Sequence, residues 1–176
     1  MSKFFTTLLL AITFVAATLT MNATTPSYTT SKGAALVVDP VDLINGRINL
    51  TYEKKLNSKN SFTINASYWN WADWLSAFGV GASYRWYLDL FEEGKTGMNG
   101  LSVGPRADIF FWSYDAGNTH SYSTVAIGGE ANYKWVFGDG KWAVEPTIKL
   151  TIPIVKEKGY NYYSNYGFGV NIGYCF

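Results

Sequence analysis

The C-terminal segment Asn165–Phe176 reads NYGFGVNIGYCF, and large apolar residues alternate in it with small or polar ones. The apolar face consists of Tyr166, Phe168, Val170, Ile172, Tyr174 and Phe176, and the opposite face consists of Asn165, Gly167, Gly169, Asn171, Gly173 and Cys175. A period of two is the signature of a β-strand that has one face in an apolar environment. The segment therefore predicts a final strand that runs to the end of the sequence.

Similar segments, most of them clearly alternating, precede the final strand along the chain. They are 33–38, 47–53, 62–68, 78–89, 101–111, 125–135 and 141–154. Short connections rich in Asn, Ser, Gly and Asp are expected at 56–60 and 137–140, and longer loops at 113–121 and 155–163. Residues 89–100 fit less well, because they are long and Gly-rich where a short turn is expected. The pattern predicts an all-β fold, an eight-stranded antiparallel up-and-down transmembrane β-barrel over 33–176.

Alternation does not by itself show which face points outward, because a soluble ligand-binding barrel also alternates. In the last five segments the apolar face contains no Asp, Glu, Lys or Arg, as a lipid-facing band requires. Aromatic residues near the strand ends also predict two interfacial belts. One belt is Tyr52, Trp86, Trp135, Trp142, Tyr174 and Phe176, and the other is Tyr68, Trp71, Trp74, Phe111, Tyr122 and Tyr166. We therefore expect lipid outside the barrel and a narrow lumen of small and polar side chains inside it.

The N-terminal region has the features of a secretory signal. Lys3 provides a basic start, Phe4–Leu19 carries no charge, and small residues offer cleavage sites after Ala17 or Ala23. The alternative, a transmembrane anchor, needs roughly 20 apolar residues, and four Thr interrupt this shorter stretch. We interpret 1–23 as a cleaved signal peptide and 24–32 as a flexible leader.

The composition narrows the class of protein further. The chain of 176 residues is long enough for one domain, and a net charge of +1 gives no basic surface for nucleic acid. Charged residues make up only 15% and aromatic residues 18%, which suits a membrane interface. The single cysteine, Cys175, excludes an internal disulfide and is expected to fill space on the lumen side. No cofactor is predicted.

The sequence also resembles known proteins. A final strand ending in Tyr174-Cys175-Phe176 resembles the C-terminal signal of small Gram-negative outer-membrane β-barrel proteins. The motifs 52-YEKKL-56, 85-RWY-87 and 100-GLSVGP-105 are similar to a functionally uncharacterised family of short exported eight-stranded barrels. The resemblance implies a location in the bacterial outer membrane, outer-membrane lipid as surroundings, and recognition of Tyr174 and Phe176 by the barrel-assembly machinery. Both chain termini are then expected in the periplasm.

Three prolines lie inside predicted strands: Pro105, Pro146 and Pro153. Proline has no backbone N–H to give to a strand ladder, and a closed barrel has no free edge at which to place one. We therefore expect a local β-bulge at each of these three positions.

Charged residues recur on the face predicted to line the lumen. They are Arg47, Glu53, Arg85, Arg106, Asp108, Glu130, Lys134, Glu145 and Lys149. Across the turn at 137–140, Glu130 should lie diagonal to Lys149, and Glu145 diagonal to Lys134. These residues could form an ion path or a paired network that plugs the barrel. We favour the plug, because side chains can fill the interior of an eight-stranded barrel.

Evidence for catalysis is weak. His120 is the only histidine, with Asp115, Ser121 and Ser123 near it. Some outer-membrane lipid A deacylases use a His-x-Ser pair, but the residue two places after His120 is Tyr122. A metal site would need several convergent ligands, which one His and one Cys do not supply. We predict no catalytic or metal-binding residues.

The sequence is compatible with three functions. The preferred one is a structural or surface-interaction protein of the outer membrane. The alternatives are an enzyme that modifies outer-membrane lipid and, third, a narrow pore. Outer aromatic residues could add a recognition surface for an extracellular ligand of unknown identity, although membrane belts are the favoured interpretation. These residues are Trp69, Trp71, Trp74 and Tyr160–Tyr163.

Overall fold

The structure is a computed structural model that describes residues 32–72, 75–88, 98–115, 119–155 and 165–176. Its elements are β1 (Ala34–Val38), α1 (Pro40–Ile44), β2 (Arg47–Lys55), β3 (Asn60–Ala72), β4 (Leu75–Leu88), β5 (Gly100–Asp115), β6 (Thr119–Phe137), β7 (Trp142–Val155) and β8 (Asn165–Cys175). Each strand pairs antiparallel with the next, and β1 pairs with β8 to close the barrel. The predicted fold class is confirmed. The predicted signal peptide, and all of the leader except Lys32, lie outside the described residues.

The apolar face of each strand forms the outside of the barrel. Ile64 on β3 is 53% exposed and Ile148 on β7 is 61% exposed, whereas Glu53 and Lys134 on the opposite face are 1% and 0% exposed. This arrangement inverts that of a soluble barrel, in which charged side chains cover the surface. Among the residues that the structure describes, no helix is long and apolar enough to cross a membrane.

Two strands extend further at one end than the sequence pattern predicted. The predicted loop 113–121 contains paired backbone, because Ser113 pairs with Ser121 and Tyr114 with His120 at the ends of β5 and β6. Both faces of this extension are polar or aromatic, so it has no apolar alternation to detect. The predicted bounds of the loop 113–121 are therefore wrong, because β5 ends at Asp115 and β6 begins at Thr119.

The helix α1 was not predicted, and it occupies the place where β1 stops short. Asp39 caps the helix, and its carboxylate accepts hydrogen bonds from the backbone N–H of Val41 and Asp42 at 2.9 and 3.3 Å. Pro40 follows at the first helical position, where a missing N–H does no harm. The Asp39 side chain lies where a Cβ on Gly169 of β8 would be, so a side chain at position 169 would displace the cap.

The three strand prolines are accommodated in two ways. At Pro153 the register between β6 and β7 shifts, which confirms the expected bulge. At Pro105 and Pro146 the expected bulges are wrong, because the register on both sides of each proline is unchanged. The ladder instead loses its bridges on one side, between β4 and β5 near Pro105 and between β6 and β7 near Pro146. At each of these two prolines a gap of two bridges accommodates the missing N–H without an extra residue.

The first of the two predicted aromatic belts, which contains Trp142 and Tyr174, faces outward. It lies at the end of the barrel that carries the connections 56–60 and 137–140, which we call the turn end. Trp142 and Tyr174 are 48% and 42% exposed, with ring centroids 5.4 Å apart, and Tyr52 lies 6.4 Å from Phe176. Ring pairs of this kind are typical of an interfacial belt.

Two aromatic residues predicted to lie outside at the opposite end, Tyr122 of the second belt and Trp69 of the outer aromatic set, point inward instead. Tyr122 points into the barrel and stacks on Trp112 with centroids 6.0 Å apart, since it pairs across β5 and β6 with a lumen-facing residue. Trp69 also points inward, because it pairs with lumen-facing Arg47. Tyr68, Phe111 and Tyr166 do face outward and are exposed. The side chain of Trp71, and all of Trp74 and Tyr160–Tyr163, lie outside the described residues.

Candidate functional site in the lumen

Arg85 on β4 reaches across the lumen and joins carboxylates from three other strands. Its Nη1 lies 2.9 Å from Glu53 Oε2 on β2 and 3.0 Å from Glu145 Oε2 on β7. Its Nε donates to Glu130 Oε1 on β6 at 2.6 Å. The guanidinium group is 2% exposed, so all three contacts are shielded from water. Arginine suits this place because its planar fork offers donors in several fixed directions.

Lys134 on β6 holds two of the same carboxylates from a second side. Its ammonium group pairs with Glu53 and lies 3.0 Å from Glu145 Oε2. Lys134 and Glu145 are opposite each other across β6 and β7, between the paired residues Asn132–Thr147 and Trp135–Val144. They are therefore direct cross-strand neighbours, where a diagonal pair was predicted.

Arg106 on β5 extends the cluster towards the other end of the barrel. It binds Asp108 with two hydrogen bonds of 2.7 Å, from Nε and from Nη2. Its Nη1 donates to Glu130 Oε2 at 2.9 Å. Glu130 thus joins Arg85 to Arg106, and seven charged residues form one connected group. We call this group the lumen network: Glu53, Arg85, Arg106, Asp108, Glu130, Lys134 and Glu145.

Neutral side chains satisfy the remaining carboxylate oxygen atoms of the lumen network. Tyr87 and Ser61 donate to Glu53 Oε1, the former at 2.6 Å. Ser83 donates to Glu130 at 2.7 Å, and Asn171 donates to Glu145 at 3.1 Å. Buried charges are tolerated when their hydrogen-bonding capacity is filled in this way. Tyr87 was not among the predicted site residues, although its position two places after Arg85 puts it on the same face.

The other two predicted lumen residues, Arg47 and Lys149, stand apart from the lumen network. Arg47 lies 3.4 Å from Asp42 of α1 and stacks over Trp69 at 3.9 Å. Lys149 is directly opposite Glu130 in the register, yet it makes no ion pair with any described residue. The predicted diagonal Glu130–Lys149 pair is wrong, because the two arginines already surround Glu130. The lumen network has three positive and four negative members and therefore a net charge of minus one. The positive charge of Lys149 balances this net charge.

An apolar layer lies below the lumen network, at the turn end of the barrel. Met98, which precedes β5, is fully buried against Tyr87, Ala35, Ala143 and Cys175. Cys175 therefore packs in the lumen as a small buried side chain. Met98 belongs to the connection 89–100, whose long, Gly-rich sequence did not indicate that Met98 would be buried in the lumen. Residues 89–97 of this connection lie outside the described residues.

His120 lies exposed near the start of β6, opposite Tyr114. Asp115 pairs in the backbone register with Thr119 at the same end, and Ser121 with Ser113. Within the described part of the chain, no group of three or more His, Cys, Asp or Glu side chains is arranged to hold a metal ion.

The strand topology, the apolar exterior and the polar lumen define a class, the closed eight-stranded antiparallel barrel. A solved structure of this class matches the chain, the N-terminal β-barrel domain of Pseudomonas aeruginosa OprF. The TM-score is 0.51 at 10% sequence identity, and the match covers 82% of this chain and 98% of that one. At this identity the likeness shows the fold alone. No family model and no curated protein matches the sequence.

Proposed function

We propose that this chain is a bacterial outer-membrane protein with a structural or surface-interaction role, and that its lumen network plugs the barrel. The apolar exterior and the likeness to an outer-membrane barrel support the location. A closed barrel is one of the two folds that satisfy every backbone group in lipid. Export through the predicted signal peptide is part of the same proposal.

The main support for a plugged lumen is that Arg85 on β4 forms ion pairs with residues of three other strands. Its contacts draw side chains of β2, β6 and β7 to one level of the lumen, and Met98 fills the level below. Glu53, Arg85, Lys134 and Glu145 are each at most 2% exposed, so water has little access to this level. An open path for ions needs a continuous column of water, and paired, dehydrated charges oppose it.

Conductance measurements test the plug. We expect the refolded protein in a planar bilayer to give no steady ion current. The charge-neutral double variant Glu53→Ser/Lys134→Ser removes two bulky members of the lumen network and leaves Arg85 bound to Glu130 and Glu145. It should open resolvable current steps, because small hydroxyl side chains admit water. Lys54→Ser, an exposed change on the same strand, should leave the bilayer silent. Steady current through the unchanged protein would favour the pore.

A second experiment tests the assembly signal proposed for the C-terminus. The backbone of Phe176 closes the barrel through hydrogen bonds with Gly33 and Ala34, so removing the residue would also weaken closure. The substitution Phe176→Ala keeps these bonds and removes only the ring. In cells we expect clearly less folded barrel in the membrane fraction, measured by heat-modifiable gel mobility.

The matched measurement is refolding of the same variant into lipid vesicles without any assembly proteins. If Phe176 acts as a recognition signal, the Phe176→Ala yield in vesicles should equal that of the unchanged chain. An equal loss in cells and in vesicles would assign the ring to barrel stability, and an unchanged yield in cells would remove it as a signal.

A further inference from the structure

A small cavity lies in the lumen above the lumen network, at the end of the barrel away from the short turns. It encloses about 60 Å³, enough for roughly four water molecules or one tetrahedral oxyanion. Five strands contribute to its wall. The lining residues used below are Arg47, Asn49, Asn65, Trp69, Lys149 and Gly167.

The cavity collects hydrogen-bond donors that the protein does not use. The Lys149 side chain lines the cavity and has no hydrogen bond or ion pair with any residue that the structure describes. The Trp69 indole Nε1 is buried and also lacks an acceptor. Arg47 stands over the Trp69 ring at 3.9 Å, and its contact with Asp42 is a long 3.4 Å. A buried donor such as the Trp69 Nε1 is rarely left without an acceptor, and Lys149 and Arg47 are partly exposed beside it, so a partner that brings oxygen atoms would fit all three.

Two other lining residues contribute acceptors. Asn49 and Asn65 are 7% and 4% exposed, and the side-chain oxygen of each is buried without a donor. The Asn49 amide is oriented by its own hydrogen bond, because its Nδ2 donates to Asp42 at 3.2 Å. A ligand that matches this set must accept from two cations and an indole and also donate to amide oxygens. A partly protonated phosphate group has both properties.

The nearby charges of the lumen network do not compete for this role. Arg106 and Asp108 also line the cavity, but they bind each other with two hydrogen bonds, and Arg106 gives its remaining contact to Glu130. Lys149 and Arg47 are therefore the cations that remain for a ligand. Because lysine acts as a compact point charge with three donors, it suits a phosphate oxygen.

We propose that this cavity binds a phosphate group, held by Lys149, Arg47 and the Trp69 indole N–H. The group could be inorganic phosphate from the outer mouth of the lumen or the headgroup phosphate of a lipid. The proposal concerns a site above the plug and stands independently of whether the lumen network blocks ions.

A lipid headgroup has a route into the cavity through the adjacent part of the barrel wall, between β8 and β2. β1 pairs with β8 no further than Val38–Ile172 and with β2 no further than Val38–Leu50. Beyond that level, among the residues that the structure describes, Asp39 and α1 lie between β2 and β8. Its apolar residues Leu43 and Ile44 are 50% and 79% exposed. A five-residue helix is held by few hydrogen bonds, so we expect it to open more readily than the paired strands beside it.

Phosphate binding is measured first on the protein refolded in a maltoside detergent, which contains no phosphorus. Inorganic phosphate is titrated and followed by calorimetry or by phosphorus NMR. Lys149→Gln should weaken binding about tenfold or more, because it removes a charge-assisted hydrogen bond. Lys141→Gln, an exposed lysine in the turn before β7, should leave the affinity within about twofold.

A second variant keeps every charge and fills the space. A Cβ at Gly167 would meet no atom within 4 Å, so Gly167→Leu places a side chain in the cavity without a clash at its root. Gly167→Leu should abolish phosphate binding while the barrel folds normally. The variant thus provides a test even where loss of Lys149 impairs folding.

The lipid source is tested by the phosphorus that stays with the protein. Barrels are refolded in vesicles of phosphatidylglycerol, transferred to maltoside, and analysed for retained phosphorus per chain. Retention by the unchanged protein, lost in Gly167→Leu, assigns a headgroup phosphate, and binding in the titration alone assigns free phosphate. Absence of both, or equal binding by Gly167→Leu, overturns the proposal.

Discussion

Replacing Arg85 with methionine is expected to destabilise the barrel by about 3–5 kcal/mol. The change keeps an unbranched side chain in the lumen, but it removes the donors that now serve Glu53, Glu130 and Glu145. The charge of the lumen network then falls from minus one to minus two in a buried place. The free energy of unfolding, measured by denaturant titration in lipid vesicles, gives the loss directly.

The double variant Arg85→Met/Glu145→Gln separates lost charge balance from lost packing. It returns the lumen network to its original net charge, so it should recover part of the stability that Arg85→Met loses. Arg47→Met is the matched control, because Arg47 is one-third exposed and its contact with Asp42 is long. Its loss should stay below about 1 kcal/mol. Equal losses for the two single variants would show that Arg85 does not organise the lumen.

The strands and their faces could be predicted because an apolar exterior and a polar lumen impose a strict period of two. Ile148 and Lys149 are neighbours in the sequence, yet the first is 61% exposed on the outside and the second lines the lumen. Wherever one face is apolar, the alternation appears in the sequence. Beyond the apolar band the alternation is lost. The sequence therefore predicts a loop at 113–121, where the structure has the ends of β5 and β6.

The partners inside the lumen were harder to predict. Cross-strand register links Glu145 to Lys134, and that pair forms. The same reasoning predicted a pair between Glu130 and Lys149, but Glu130 forms its ion pairs with arginines of β4 and β5 instead. Arg85 touches three strands that are not neighbours of β4, and such contacts depend on barrel diameter and side-chain reach. Neither quantity is visible in the local pattern.

The helix α1 shows a different kind of failure. Asp39-Pro40 follows the predicted strand 33–38 directly, and an Asp before a Pro is a recognised start for a helix. Five residues are too few for a periodic pattern to show. The requirement for Gly169 is also invisible in sequence, since it follows from the approach of the Asp39 carboxylate across the seam.

The largest effect expected on the outer surface is that of Ile148→Arg. Ile148 lies near the middle of β7, six residues from Trp142 of the belt, or roughly 15 Å along the barrel axis for a tilted strand. An arginine facing lipid near the bilayer midplane costs about 2–4 kcal/mol. We therefore expect Ile148→Arg to lower the free energy of unfolding in vesicles by that amount.

Leu56→Arg is the control, since Leu56 is 55% exposed and follows β2 in a short turn, outside the apolar band. If the exterior faces lipid, this change should alter stability by no more than about 0.5 kcal/mol. In a soluble barrel both leucine and isoleucine would face water, and neither arginine would matter. Equal, negligible effects of the two substitutions would therefore reject a membrane location for this barrel, and a loss confined to Ile148→Arg would place its apolar surface in lipid.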